Sequence, residues 1–153
     1  MNCTNLIDIF STLANIAIVI SVPFLIFQLA EMRRTTLAQS YGVAREILQS
    51  EEVRQARKTI FELGSKGKKI KQWSKSEIKS AETVCHTYDS VGQMVRNNLL
   101  KRKIIVDSWG HSIQRSWRIL EPLIQKYRLE WNSPEVWDDF EWLAKMSENK
   151  MAS

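Results

Sequence analysis

The stretch from Leu6 to Ala30 constrains this chain more than any other. It carries one charge, Asp8, and from Ile9 to Leu29 none at all. About 20 uncharged, largely apolar residues are what an α-helix needs to cross the hydrocarbon core of a bilayer. No Lys or Arg precedes the run, whereas Glu31, Arg33 and Arg34 follow at once. Under the positive-inside bias this asymmetry predicts an N-terminus outside and everything after Arg34 in the cytoplasm. A cleaved signal peptide would want a basic start, a shorter apolar core and a small-x-small site; here bulky Phe24, Leu25, Ile26 and Phe27 close the run. A helix buried in a soluble core is the other alternative, but a domain this small rarely hides one that is apolar on every face. Residues 1–34 are therefore expected to form a transmembrane anchor with a basic stop, and residues 35–150 a helical cytoplasmic domain.

After the anchor everything reads as helix. Gly and Pro are scarce, at 5 and 3 residues, and no segment alternates with period two in β-branched residues. The anchor helix is expected to continue through Thr35–Leu48, since no breaker follows Pro23. Ser50 with Glu51 and Glu52 reads as an N-cap with acids in the first turn. It opens a helix to about Leu63, which Gly64, Ser65 and Gly67 end. Ser74 and Glu77 form a capping-box pair for a helix whose apolar face is Ile78, Ala81, Val84/Cys85, Tyr88, Val91/Gly92, Val95 and Leu99. Beyond a turn near Asn97–Lys101, another long helix carries Ile113, Trp117, Leu120, Leu123/Ile124 and Tyr127, with Gly110 and Pro122 as candidate bends. Ser133 as N-cap, Pro134 as first helical residue, and Glu135, Asp138 and Asp139 behind them announce a last helix. Its inward face is Val136/Trp137, Phe140 and Leu143/Ala144. The fold class expected is all-α: an N-terminal transmembrane helix, then a four- to five-helix antiparallel cytoplasmic bundle.

Three surfaces invite a functional reading. Within the anchor, Ser11, Ala14, Ile18, Ser21, Leu25 and Gln28 recur at spacings of three and four, the seam of a left-handed helix pair. Leu13, Ile20 and Phe27 lie opposite. In lipid, close packing of small residues drives such pairing, although Ser and Ala also occur in solitary spans. The second surface is a basic loop of Lys66, Lys68, Lys69 and Lys71 with Trp73 inside it. It reads as a contact for anionic lipid or nucleic acid, against the alternative of a solvated loop. Residues 31–103 hold 16 Lys+Arg against 8 Asp+Glu, and residues 104–153 hold 6 against 8, so the basic half adjoins the anchor. The third surface is aromatic. Of the tryptophans, Trp109, Trp117 and Trp137 sit on or beside helical apolar faces and read as core. Trp131 and Trp142 with Phe140 read as an exposed patch for a protein partner, unless the two indoles fold over the bundle end.

Catalytic chemistry is thinly represented. His86 and Asp89 share a helix side with Glu82, Gln93 and Arg96, and His111 lies near Asp107 and Arg115 on the next helix. Antiparallel pairing would let these groups meet, yet surface ion pairs between helices explain them equally well. No zinc spacing, phosphate loop or nucleophile elbow occurs. No catalytic residue, no metal and no cofactor is expected. Cys3, outside, and Cys85, inside, cannot pair under this topology, and Cys85 reads as a small buried hydrophobe.

The E-M-R-R of Glu31–Arg34 resembles part of a known pattern. So do S-W-x-x-S-I-x-x-S-W-x-I-L-x-P-x-I-x-x-x-R from Ser108 to Arg128 and F-E-W-L from Phe140 to Leu143. Together they resemble a family of uncharacterised bacterial single-pass membrane proteins with a helical cytoplasmic domain of unknown function. The resemblance implies a bacterial inner-membrane protein and a helical fold, and carries no activity, substrate or site. The expected function is a membrane-anchored protein-interaction module, not an enzyme. It would touch membrane lipid, form a homo-oligomer and work with a co-encoded protein. The alternative is a tethered binder of nucleic acid or anionic lipid through the lysine loop.

Overall fold

The computed structural model describes the backbone from Cys3 to Met151 and the side chains of residues 21–148. Five α-helices follow one another: α1 (Cys3–Gln49), α2 (Glu51–Ser65), α3 (Lys75–Arg96), α4 (Arg102–Glu130) and α5 (Asp138–Met151). One turn of 3₁₀ helix, Ile70–Gln72, precedes α3, and no strand occurs among the described residues. The all-α expectation is met, as is the continuation of the first helix through residues 35–48. The chain divides into two compact units, Met1–Gln39 and Ser40–Ser153.

In the first unit every described side chain, residues 21–39, is exposed. The single-pass anchor expected from sequence is corrected here. Among the described residues no helix is long and apolar enough to cross a membrane. With the anchor fall the inner-membrane placement, the N-terminus outside and the assignment of the remainder to the cytoplasm. Ser11, Ala14, Ile18, Leu13 and Ile20 of the two anchor faces lie outside the described side chains.

The second unit builds its own core. Helix α5 packs on α3 and α4, and α2 packs on the same two helices. Val53, Ala56, Ile60 and Leu63 of α2, Ala81, Val84, Tyr88 and Val91 of α3, Ile113, Leu120 and Ile124 of α4, and Phe140 and Leu143 of α5 all turn inward. Cys85 is buried with them. The Tyr88 hydroxyl meets Ser112 Oγ at 2.9 Å, and the Tyr127 hydroxyl donates to Glu82 at 2.7 Å. Ascending α3 thus descends α4, so those two helices run in opposite directions. Gly92 is the point of closest approach: a Cβ there would lie 2.3 Å from the backbone oxygen of Asp139. Only a residue without a side chain lets α5 settle on α3 at this depth.

Local chemistry sets the helix ends. Ser74 Oγ accepts from the Glu77 N–H while the Glu77 carboxylate accepts from the Ser74 N–H, the expected capping box. Helices α2, α3 and α4 all stop in the same way. Gly67, Asn98 and Asn132 take positive φ of 61°, 59° and 48°. The next residues, Lys68, Leu99 and Ser133, donate back to Leu63, Met94 and Arg128. This is the Schellman arrangement, for which Gly and Asn are the least strained residues. Because α3 ends at Arg96, Leu99 drops out of the apolar face and is exposed, and Leu100 is buried instead. The last helix begins at Asp138, not at Pro134. Residues 134–137 form turns, and Trp137 takes a φ of 54° that breaks the helix before it starts.

Candidate functional site

The polar groups foreseen on α3 come together, but with a different partner. His86, Asp89 and Arg96 face the start of α5 rather than His111 and Arg115 of α4. His86 Nδ1 accepts from the Trp137 indole at 3.3 Å, and Asp89 Oδ1 accepts from the Phe140 N–H at 3.1 Å. Asp89 therefore caps α5 from another helix, supplying the acceptor that its own first turn lacks. Burial raises the Asp89 carboxyl above its usual range, the Phe140 N–H pulls it back, and neighbouring Asp139 and Asp138 raise it again. Arg96 answers both neighbours, at 3.4 Å from Asp138 and 3.0 Å from Asp139, and lies 5.1 Å from the Trp142 ring centre. The carboxylates of Asp89, Asp138 and Asp139 fall within 4.8 Å of one another, close enough to hold a cation, yet each is already engaged. His111 is exposed, and Arg115 lies over the Phe61 ring of α2 at 4.3 Å. The foreseen meeting of the two histidine clusters does not occur.

The lysine loop is partly consumed by the fold. Lys68 Nζ sits 2.7 Å from the Glu77 carboxylate. That bond, with the Ser74 cap, holds the Glu77 carboxyl down at about 2. The Trp73 indole donates to the Lys68 carbonyl at 3.0 Å and packs on the core. Lys66, Lys69 and Lys71 stay exposed. The aromatic patch needs a larger correction. Phe140 is completely buried, stacked on Tyr88 and edge-on to Trp117. Trp142 is half-buried against the core. Trp131 is 58% exposed and lies parallel to Tyr127 with ring centres 4.7 Å apart. Phe140 sits inside because it belongs to the inward face expected of the last helix, with Trp137, Leu143 and Ala144, and so cannot also form an exposed patch.

Sequence reading passed over a cleft formed by the end of α1 with α2 and α4. One lobe, of about 400 Å³, is lined by Arg54, Arg57, Lys58, Phe61, Glu62 and Arg115, among others. The adjoining lobe, of about 750 Å³, takes in Tyr41, Gly42, Arg45, Glu46 and Trp109, and the two share Gln49 and Arg54. Arg57 is 8% exposed and donates to the Leu48 carbonyl at 2.6 Å. A signal for it did exist: Arg57 stands at helical spacing among Val53, Ala56, Ile60 and Leu63, a cation on an apolar stripe.

A helical bundle with a self-contained core and structurally committed polar groups is the class this architecture defines. The chain belongs to DUF4760, a domain of unknown function, which matches residues 12–147. No curated protein and no solved structure matches it.

Proposed function

We propose that the chain is a helical interaction module that works by binding protein, not by catalysis, and that a second copy of itself is the partner. One observation carries this reading. Phe24, Leu25, Ile26, Phe27, Leu29 and Met32 of the first unit are all more than half exposed, with Phe27 at 67%. A contiguous apolar surface of this kind is rare on a monomer and marks a contact site. Ser21, Leu25, Gln28 and Met32 follow one another at spacings of four, three and four, the seam of a paired helix. Two copies presenting the same stripe make a closed, self-complementary contact. Support against catalysis comes from the bundle, where Asp89 and His86 serve the start of α5. The lysine loop supports a nucleic-acid or anionic-lipid reading less well, because Lys68 and Trp73 are engaged internally.

Sedimentation equilibrium on the full chain tests the proposal. The unaltered protein is expected to sediment as an oligomer, Leu25→Glu to shift towards monomer, and Ala30→Glu, on the other side of the helix, to retain most of the assembly. A monomeric unaltered chain, or equal loss in the two variants, would overturn the self-association face.

A further inference from the structure

The α2–α4 lobe of the cleft holds more cations than carboxylates. Arg128, whose side chain is 12% exposed, has Glu141 at 2.7 Å, and Arg96 has two aspartates. Arg57 is as deeply buried, and no carboxylate pairs with it among the described residues. Its one acceptor is a backbone carbonyl in the last turn of α1, where the helix dipole favours a cation. A buried guanidinium with that alone is under-compensated. Arg54 and Lys58, on the same helix, and Arg115, on α4, line the same lobe, with Glu62 as the carboxylate beside them. Arg54 spends part of its charge on exposed Glu51 at 3.4 Å. The Arg115 guanidinium carbon lies over the Phe61 ring, 4.3 Å from its centre, a contact with an aromatic ring in place of a carboxylate.

The second lobe has a different character. Tyr41 is exposed and lies 5.7 Å from the Trp109 ring at a 33° tilt. Gly42 beside it carries no Cβ, and the space a Cβ would occupy is open. Arg45 and Glu46 are the charged groups there. A cationic lobe next to an open aromatic one, joined through Gln49 and Arg54, suits a ligand with a condensed anionic end and a flat ring. We infer that this cleft binds a nucleoside diphosphate, with the phosphates on Arg57, Lys58 and Arg115 and the base against Tyr41. A diphosphate's charge matches four cations facing one carboxylate, whereas a lone carboxylate ligand would leave most of them unanswered. Forked guanidinium donors are the groups best shaped for phosphate oxygens.

Isothermal titration of the full chain with ADP at low ionic strength tests this, with inorganic pyrophosphate and a single-stranded oligonucleotide as comparison ligands. ADP is expected to bind, and Lys58→Gln and Arg115→Gln each to weaken it about tenfold. Tyr41→Ala is expected to weaken ADP while leaving pyrophosphate unchanged, and Lys69→Gln in the distant loop to change neither. Arg57→Gln is the less useful variant, because it also cuts the tie between α2 and α1. Absence of ADP binding, or unaltered affinity in both Lys58→Gln and Arg115→Gln, would overturn the site. Pyrophosphate binding as tightly as ADP would overturn the base contact, and an oligonucleotide binding more tightly than ADP would overturn the small-ligand assignment.

Discussion

Two charged regions of the bundle differ in how their charges are answered. Where α5 meets α3 and α4, Arg96 faces Asp138 and Asp139, Asp89 holds the Phe140 N–H, and Arg128 holds both Glu141 and the Val136 carbonyl. At the cleft of α1, α2 and α4, Arg57 and Lys58 have no carboxylate partner among the described residues, and Arg115 has an aromatic face in place of one. In the first region each arginine faces a carboxylate, although Arg128 Nη2 and Asp139 Oδ1 make no hydrogen bond, so removing one partner strands another. The second has cationic donors left over, which is what a site needs if it is to gain from meeting an anion. Matched charges read as architecture, and unmatched ones as capacity to bind.

The contrast can be broken in several ways. The largest expected effect is at Gly92. Gly92→Ala puts a Cβ against the Asp139 backbone oxygen, not against a flexible side chain, so α5 must move off α3. A loss of about 3 kcal/mol in urea unfolding is expected, and unchanged stability would mean that the junction can slide. Next comes the cap supplied by Asp89. Asp89→Ala should cost about 1–2 kcal/mol, while Asp89→Asn, which still accepts from Phe140, should cost far less. Since burial raises the Asp89 carboxyl in the folded state, its contribution favours folding at low pH and is lost as pH rises through the folded value. Asp89→Asn should therefore gain on the unaltered protein as pH climbs through that range.

Glu77 provides the opposite sign. Its carboxyl is lowered from 4.5 to about 2 by Lys68 and the Ser74 cap, so its contribution is present above the unfolded value and disappears as pH falls from 4.5 towards 2. Glu77→Gln should lose that acid-sensitive part of the unfolding curve, visible by circular dichroism. Failure of the two curves to converge at the acid end would dissociate Glu77 from the cap. The smallest effect belongs to the cleft. Lys58→Gln should leave the stability of the unliganded chain within about 0.5 kcal/mol. A larger loss in thermal unfolding would make the cleft part of the architecture after all, and would erase the contrast with the α3–α5 junction.

Much of the bundle was legible locally. The Ser74–Glu77 box, the acids opening α2 and the three/four spacing of α3 and α4 each depend on residues within one or two turns of one another. Burial of Ala81, Val84, Tyr88, Ile113, Leu120 and Ile124 follows from that spacing. The late start of α5 was not legible, because Ser133 and Pro134 carry the right local signals and are overruled from outside. Trp137 turns back to give its indole N–H to His86 and its ring to the core, and Asp89 offers Phe140 the cap that Ser133 was expected to provide. Arg57 stood in plain view as a cation on an apolar stripe, but nothing in the sequence says that a helix end will lie 2.6 Å from its guanidinium.

What the sequence determines by itself, then, is the all-α character, most helix limits and the faces that turn inward, since these rest on short-range hydrogen bonding and a 3.6-residue period. Only the tertiary structure decided which polar groups find partners. Asp89 with Phe140, Arg128 with Glu141 and Tyr127 with Glu82 join residues 51, 13 and 45 positions apart. The charge left unanswered around Arg57 can be recognised only once those pairings are complete, because charge balance belongs to the space between helices and not to any one of them.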